Sequence, residues 1–530
     1  GAVWSVGFMS LAGFRLTVVS VIVPSLILTI GSSYTIHVLN EYFRNARAVD
    51  SGDIEWLADA VEHVIRTVIL AALTTIISFL SLLTTSMAPV QEFGLSIALG
   101  ILFCAVLALF FLPATFKLMG PPREHHKQTI DKGNLTRIVE KTGTWAARHS
   151  FISLGLFTAL IILFLIFYPN VKNQSDYLAY FPDDDQVIQD TRAIIRHTGG
   201  SQGFNITLSA PGGEEGYFLN PEVLNTVNAL EEELEQKSFV NSLLSFNRIV
   251  KTMNQSISGD YRIPESRGLI LLLNRYFRMI SSDMFSLEND STVMNSDATT
   301  ITLYMKVSNP ETFNYLNEDD LRILLSDINQ LLEEHIGDTM TVDIWGNTLL
   351  LLDATKTIKQ DQLISTLLSM VLGVIVTFLF FRVLSSSLLA LVPLFSGISC
   401  YFIIMYLFDI PLDMTTILVT NVTVGVGLDD AVHFLLQYRS QRQKLSYPEA
   451  IASTLRITGR PIVLTTLSLV AGLLVLCFAS FTPIVFFGAL IAGTLFSAMA
   501  GTVIFIPAAL TLIEKAKDRL SSSTGMESRT

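Results

Sequence analysis

The stretch Gly425-Val-Gly-Leu-Asp-Asp-Ala-Val-His433 places two adjacent carboxylates inside an apolar run that extends from about 413 to 437. An aspartate at the centre of a bilayer costs about 2.5 to 3.5 kcal/mol on insertion scales, so this pair requires a reason. Uncharged Asn would hold helices together at a lower insertion cost. A carboxylate is instead expected where a side chain has to bind and release a proton. Asp429 and Asp430 therefore predict a functional site within a membrane helix.

The neighbours of this carboxylate pair complete the pattern. His433 follows Asp429 by four residues and Asp430 by three, so its imidazole lies one helical turn away on the same face. Gly425 and Gly427 carry no side chain and are predicted to let another helix approach closely. Burial and mutual repulsion are expected to keep one carboxylate protonated near neutral pH, as a reversible proton carrier requires. The alternative is that these polar groups have only a structural role, in which they form hydrogen bonds between helices.

The composition of the 530-residue chain indicates a membrane protein, because 50% of its residues are hydrophobic. Only 15% are charged, against about 25% in a typical soluble domain. The net charge of -12 argues against a nucleic acid partner, which would require clustered Lys and Arg. The three cysteines lie in apolar runs without metal-ligand spacing, so neither a disulfide framework nor a metal site is predicted. A GxxxxGK(S/T) nucleotide loop is absent from the sequence, so energy must come from an ion gradient or another subunit.

Apolar runs long enough to cross a bilayer, which takes about 20 residues, recur along the chain. They predict nine complete helices, at about 16–40, 67–87, 94–116, 150–168, 363–383, 386–408, 413–437, 461–480 and 485–512. The opening run Gly1–Phe14 is too short to cross and lacks the features of a signal peptide. We therefore interpret it as the second half of a helix, so that the sequence is N-terminally incomplete.

Basic residues concentrate on one side of the predicted helices, which the positive-inside rule makes the cytoplasmic side. They occupy the loops 44–66, 117–148 and 439–460 and the tail from Lys515. The opposite side receives the segment 169–361, where acidic residues outnumber basic ones. Within this segment, 204–210 and 299–307 alternate as strands, and 221–236 and 319–334 are amphipathic helices. The segment is predicted to be an external α+β domain, with Glu231–Glu235 as a solvated helix face.

Two parts of the chain align with each other as an internal repeat. An offset of 396 places Gly31–His37 on Gly427–His433, and an offset of 394 aligns the later positions. The later pairs are Arg66 with Arg460, Pro89 with Pro483, Phe93-Gly94 with Phe487-Gly488, and Pro113-Ala114 with Pro507-Ala508. Both copies begin with a helix that runs inward, so the repeats are predicted to be parallel, as in many secondary transporters. Ser33, Tyr34 and His37 should therefore face the carboxylate pair across the repeat axis.

With this repeat and the Gly-x-Asp-Asp-x-x-His motif of Gly427–His433, the sequence resembles the resistance-nodulation-division (RND) superfamily over essentially its whole length. It is most similar to the lipid- and hydrophobe-exporting branch that includes hopanoid transporters and mycobacterial large membrane proteins. Further similarities are Tyr180-Phe181-Pro182, Gly199-Gly200, Gly346-Asn347 and Arg460-Pro461-Ile462. The sequence departs from the family pattern at Ser33, where the fourth helix usually has Asp, and at Asp430, where the tenth usually has Tyr.

The resemblance implies an α-helical polytopic membrane protein with parallel six-helix repeats (RND fold) plus an α+β periplasmic porter domain. It implies a proton relay, in which Thr465 matches a relay threonine of the eleventh helix. The relay set is Asp429, Asp430, His433, Ser33, Tyr34, His37 and Thr465, and Gly31, Gly425 and Gly427 are predicted to pack helices. The proton is the expected coupling ion, without a further cofactor. The implied partners are membrane lipids, a hydrophobic or lipid-like substrate, and a second copy of the chain or a periplasmic protein.

The resemblance also predicts the domain organisation. Residues 1–118 are the end of the first membrane repeat (half of helix 3 and helices 4 to 6), 119–149 a cytoplasmic amphipathic linker, 150–168 helix 7, 169–361 the periplasmic porter domain, 362–514 helices 8 to 12, and 515–530 a cytoplasmic tail. The predicted function is proton-driven export or periplasmic transfer of hydrophobic molecules at the bacterial inner membrane, without enzymatic activity. A sterol-sensing-type lipid sensor and a protein-translocation accessory subunit remain as alternatives.

Overall fold

The computed structural model describes residues 1–45, 55–119, 134–173, 180–200, 202–285 and 293–527. The chain forms two compact units. One unit combines Gly1–Lys172 with Thr357–Thr530, and we call it the helical unit. The other, Asn173–Lys356, is called the mixed unit because it contains both helices and a sheet.

The helical unit begins with helices that follow the apolar runs of the sequence. They are α1 (Ala2–Leu11), α2 (Val23–Asn45), α3 (Glu55–Leu80), α4 (Ala88–Val106), α5 (Leu112–Met119), α6 (Asn134–Arg148) and α7 (Ser150–Phe167). Residues 120–133 of the predicted linker lie outside the described residues. The described part of this linker is α6, whose Glu140 forms an exposed ion pair with Arg456 at 2.6 Å.

In the described part of the mixed unit, one or two helices stand between successive strands of one sheet. In chain order the elements are α8 (Gln186–Thr198), β1 (Gly203–Ser209), α9 (Pro221–Glu235), β2 (Val240–Leu244), α10 (Phe246–Ser258), α11 (Arg267–Phe285), β3 (Thr300–Val307), α12 (Glu318–His335) and β4 (Thr341–Trp345). The strands are ordered β2-β3-β1-β4 and every neighbouring pair is antiparallel. Phe204, Ile206 and Leu208 alternate into a core that α9 and α12 also line.

The chain then returns to the helical unit through α13 (Asn347–Phe381). The remaining helices are α14 (Leu384–Leu389), α15 (Leu391–Leu407), α16 (Ile417–Arg442), α17 (Tyr447–Thr454), α18 (Arg460–Leu474), α19 (Thr482–Ala500) and α20 (Ile506–Glu527). The predicted run 386–408 is thus divided between α14 and α15, which meet at Ala390. Pro393 is tolerated because it lies in the first turn of α15, where a main-chain amide would have no partner within the helix.

Seven segments of the described chain are long and apolar enough to cross a membrane. They are Ala88–Leu118, Ser150–Asn170, Lys356–Phe381, Leu384–Leu407, Ile417–Arg442, Tyr447–Phe478 and Thr482–Asp518. Ser20–Ile36 and Val68–Thr84 are shorter apolar helices within the predicted runs 16–40 and 67–87, and Ala2–Leu11 is a third. The described part of the chain is therefore mostly helical, with many apolar helices and one small antiparallel sheet.

One succession of elements occurs twice in the helical unit. Before α4 stands the 3-10 turn Ser81–Thr84, and after it the π-helical turn Leu107–Phe111 leads into α5. Before α19 stands the 3-10 turn Val475–Phe478, and after it the π-helical turn Gly501–Phe505 leads into α20. From the 3-10 turn to the start of the last helix, each boundary in the second succession lies 394 residues after its counterpart in the first.

Helix α16 lies at the centre of the helical unit. Every residue from Ile417 to Val432 is buried, so this helix has no face toward the exterior along that length. A helix buried on all sides normally runs through the core of a large protein. Polar side chains on α16 are therefore expected to have partners within the protein, either on this helix or on its neighbours.

One acidic residue of the mixed unit is buried although the sequence predicted a solvated position. Glu231 in α9 is only 3% exposed. It occupies a stripe with Leu224, Val227 and Leu234, which are spaced three and four residues apart and face the core. The prediction of a solvated face was therefore wrong for Glu231, whereas Glu232 is exposed as expected.

Candidate functional site

The centre of α16 brings an acid and a base into contact. Asp429 Oδ1 lies 3.1 Å from His433 Nε2, one helical turn further along. Their side chains are 8% and 13% exposed, so the pair is almost completely shielded from solvent. A charged pair in such surroundings interacts strongly because little water screens it. The spacing in the sequence therefore corresponds to a direct contact in the structure.

Asp430 points to a different neighbour. Its Oδ2 accepts a hydrogen bond of 3.1 Å from the Thr466 hydroxyl on α18. The adjacent Thr465 hydroxyl instead donates to the carbonyls of Pro461 and Ile462 in its own helix, at 3.0 and 2.9 Å. Successive residues of a helix point about 100° apart, so only one of the two threonines can face Asp430. Of these two adjacent threonines, Thr466 makes the contact with Asp430.

The residues that the sequence alignment predicts to face the carboxylates lie on α2. Tyr34 is 1% exposed, and its side chain lies near Asp429 and Thr75. Ser33 is also buried, at 6% exposure. The side chain of His37 lies outside the described part of the structure. The site therefore combines α16 with the phenol of Tyr34 on α2, while α2 itself packs mainly against α3, α4 and α18.

The three predicted packing glycines lie where helices come close together. A Cβ on Gly425 would lie 3.0 Å from Thr75 Cγ2 of α3, and Thr75 donates a hydrogen bond of 3.2 Å to the Gly425 carbonyl. A Cβ on Gly427 would lie 3.2 Å from a methyl group of Leu394 on α15. On α2, a Cβ at Gly31 would lie 2.7 Å from Cys104 Sγ on α4. Side chains at these positions would push the helices apart.

Sequence reasoning missed a second polar cluster on α16. Asn421 stands two helical turns before Asp429 and is fully buried. Its side chain contacts the hydroxyl groups of Ser81, in the turn after α3, and of Thr366 on α13. The available signal was the three-residue spacing of hydroxyls along 75–81 in the sequence, which places them on one face of a helix.

Comparison with known proteins agrees with this architecture. The chain is 22% identical over 388 residues to a protein of Methanocaldococcus jannaschii described as a putative membrane protein, an alignment that covers 72% of this chain and 95% of that relative. The MMPL family model matches residues 2–153 and 318–528, which contain every residue of the candidate site. These matched segments make up more than half of the chain, and the protein therefore belongs to the MMPL family.

Proposed function

We propose that this protein uses the proton-motive force to export lipid-like or other hydrophobic molecules across or out of a bacterial inner membrane. The observation that carries the proposal is the pair Asp429 and Asp430, buried in α16 with His433 and Thr466 in contact. Membership of the MMPL family supports transport of a hydrophobic substrate. Buried carboxylates inside membrane helices are typical of proton relays in pumps and transporters.

In this proposal the carboxylates alternate between two charge states. Ionised Asp429 attracts protonated His433 across 3.1 Å, and this attraction between opposite charges disappears when Asp429 takes up a proton. Asp430 is held toward α18 by Thr466, so its protonation changes the contact between α16 and α18. The first repeat contributes three polar groups that tune the site, namely Ser33, Tyr34 and His37. Thr465 is adjacent to Thr466 on α18.

The energy available from one proton is sufficient for a conformational change. A unit charge that crosses 100 mV releases about 2.3 kcal/mol. This energy shifts an equilibrium between two conformations by a factor of about fifty. In this proposal the mixed unit is the periplasmic porter domain that holds the cargo. The helical unit converts proton movement into the opening and closing of this porter domain.

The proposal is tested by removing the charges without changing the shape of the side chains. Mass spectrometry of lipids that co-purify with the protein identifies a cargo, and transfer of that lipid is then measured in proteoliposomes with a pH gradient. Asp429→Asn and Asp430→Asn should each abolish gradient-driven transfer. Asp409→Asn is the matched control, because it removes the same charge from an exposed side chain that pairs with Lys172.

Three outcomes would contradict the proposal. Full gradient-driven transfer in both Asp429→Asn and Asp430→Asn would remove the carboxylates from the mechanism. Lipid binding without any transfer in the unmodified protein, insensitive to the gradient, would favour the sterol-sensing-type lipid sensor. Genetic dependence of protein secretion on this chain would favour the translocation accessory subunit.

A further inference from the structure

One side of α6 is exposed although it carries large apolar side chains. Ile138 and Trp145, about two helical turns apart, are 60% and 52% exposed. Arg137, Lys141 and Arg148 are also exposed. At about 100° per residue, these five positions fall within one face of the helix. We call them the cationic face of α6.

The positive charges of the cationic face have no counter-ion within the described part of the chain. Arg137, Lys141 and Arg148 form neither an ion pair nor a side-chain hydrogen bond with a described residue. Glu140, the one acidic residue in the sequence of α6, pairs with Arg456 instead, at 2.6 Å. A face with three cations attracts an anionic partner.

The cationic face lies where the chain enters a segment that can cross a membrane. Arg148 ends α6, and α7 starts the segment Ser150–Asn170 two residues later. Phe151 in the first turn of α7 is 79% exposed, as expected for a side chain in contact with lipid. Tryptophan is enriched at the boundary between headgroups and hydrocarbon, so Trp145 fits this level of the membrane.

An anionic phospholipid matches both components of the cationic face. Helices that present apolar side chains beside Lys and Arg bind to the interface of anionic membranes. Ile138 and Trp145 suit the upper ends of the acyl chains, and Lys141 and Arg148 suit the phosphate groups. A soluble anion would leave the two apolar side chains in water, and a zwitterionic lipid has no net charge to offer.

The opposite face of α6 packs against the π-helical turn Leu455–Gly459, which joins α17 to α18. A Cβ at Gly143 of α6 would lie 2.5 Å from Leu455 Cδ1. A Cβ at Gly459 of the turn would lie 2.6 Å from Val139 Cγ1 of α6. Glycines on both sides therefore let the two backbones approach closely. Because the contact is close-packed, a displacement of α6 is transmitted to this turn.

This turn connects α6 to the candidate functional site. Helix α18 starts at Arg460, directly after the turn, and Thr466 lies between one and two helical turns further along. The Thr466 hydroxyl donates to Asp430 at 3.1 Å. Single π-helical turns are frequent at functional sites. A ligand on α6 can therefore act on the site through the turn and α18.

We propose that anionic phospholipids bind the cationic face of α6 and that this binding holds α6 against the turn Leu455–Gly459. The position of α18 then depends on the lipid composition of the leaflet that contacts α6. The bound lipid is a regulator and not cargo, since its site lies on the helical unit. This inference goes beyond the proposed function, and it requires neither a cargo nor a proton gradient.

The first test uses Trp145 as a reporter of the lipid that contacts α6. The full chain with Trp4→Phe, Trp56→Phe and Trp345→Phe keeps Trp145 as its one tryptophan. It is reconstituted into mixtures of phosphatidylglycerol and phosphatidylcholine in which one or the other lipid is brominated. Bromine quenches tryptophan fluorescence on contact, so the two quenching curves give the relative affinity of the lipids. Phosphatidylglycerol should bind about tenfold more tightly.

Removing one charge from the cationic face should weaken this preference. Lys141→Gln and Arg148→Gln should each lower it by about fivefold, which corresponds to about 1 kcal/mol for a basic residue near an anionic surface. Lys444→Gln is the matched control and should leave the preference unchanged. Lys444 is suitable because it is exposed and lies outside α6, between α16 and α17.

The second test measures the connection to α18 by hydrogen–deuterium exchange in the same membranes. Peptides from 447–460 should exchange about twofold to tenfold more slowly in phosphatidylglycerol than in phosphatidylcholine. The upper limit is the lipid preference itself, because a ligand shifts an equilibrium by no more than its difference in affinity. The slowing should disappear when Lys141→Gln and Arg148→Gln are combined. Peptides from 318–335 in the mixed unit are the internal control and should not respond.

The outcomes separate this inference from the proposed function. Equal affinity of the two lipids, or equal losses in Lys141→Gln and Lys444→Gln, would overturn the lipid site. Absence of quenching by either lipid would show that protein covers α6 and would also overturn it. A lipid preference without any change in the exchange of 447–460 would overturn the connection to α18. Proton-driven transfer is tested separately, by Asp429→Asn and Asp430→Asn.

Discussion

Replacing Glu231 with Gln should remove a pH dependence from the stability of the mixed unit. Glu231 is buried in α9, and its Oε1 makes no hydrogen bond with any described residue. Burial raises the pKa of Glu231 from 4.5 to about 7, although contacts with Ser245 and Lys251 act in the opposite direction. The folded unit therefore favours the protonated form of this carboxyl group.

The sign and size of the effect follow from this raised pKa. Because the pKa is higher in the folded state, the contribution of Glu231 to stability is fully present below about pH 4.5 and is lost as the pH rises through about 7. A tenfold change in proton affinity corresponds to about 1.4 kcal/mol, so the loss amounts to about 3 kcal/mol. Glu231→Gln carries no charge at any pH and should not show this loss.

Hydrogen–deuterium exchange of peptides from 221–258 in the full chain measures the local stability. Comparing variants at the same pH cancels the intrinsic pH dependence of exchange. Wild type and the control Glu232→Gln should lose protection between about pH 4.5 and 8, whereas Glu231→Gln should keep it. Glu232 is a suitable control because it is the adjacent carboxylate and is exposed. A parallel loss of protection in Glu231→Gln would refute the reasoning.

Two further substitutions test the packing of the helical unit by thermal unfolding in detergent. Gly94→Ala should destabilise the protein by about 1 to 3 kcal/mol, since the added Cβ would lie 2.6 Å from the main-chain oxygen of Phe79; Gly155→Ala, with open space around it, should be neutral. Asp413→Ala should cost about 1 kcal/mol, because Asp413 accepts a hydrogen bond of 2.7 Å from the Thr416 amide in the turn before α16. Asp413→Asn keeps an acceptor oxygen and should lose less, and equal losses in the two Asp413 variants would contradict this role.

Much of the architecture could be predicted because apolar runs and alternation are local properties of the sequence. The predicted strand 299–307 corresponds to Thr300–Val307, and the predicted helix 319–334 to Glu318–His335. The short strands β2 and β4 were not predicted, because five residues with half-exposed side chains carry little periodic signal. The contact of Asp429 with His433 was predictable because both residues lie on one helix.

Features that depend on which helices meet could not be predicted in the same way. The sequence does not reveal which face of α18 points to Asp430, so it did not distinguish Thr465 from Thr466. The polar cluster around Asn421 depends on three helices that are distant in the sequence. The burial of Glu231 is a different case. Its spacing from the apolar residues of α9 is a local signal for burial, but the charged residues next to it favoured the prediction of a solvated face.

The central claim is that Asp429 and Asp430 exchange protons while cargo moves. Simultaneous recording of internal pH and of transfer of the co-purified lipid in proteoliposomes tests it most directly. We predict that proton movement accompanies lipid transfer in wild type and in Asp409→Asn, and that both fluxes cease in Asp429→Asn and Asp430→Asn. Lipid transfer at the wild-type rate without proton movement, or both fluxes intact in the Asn variants, would contradict the claim.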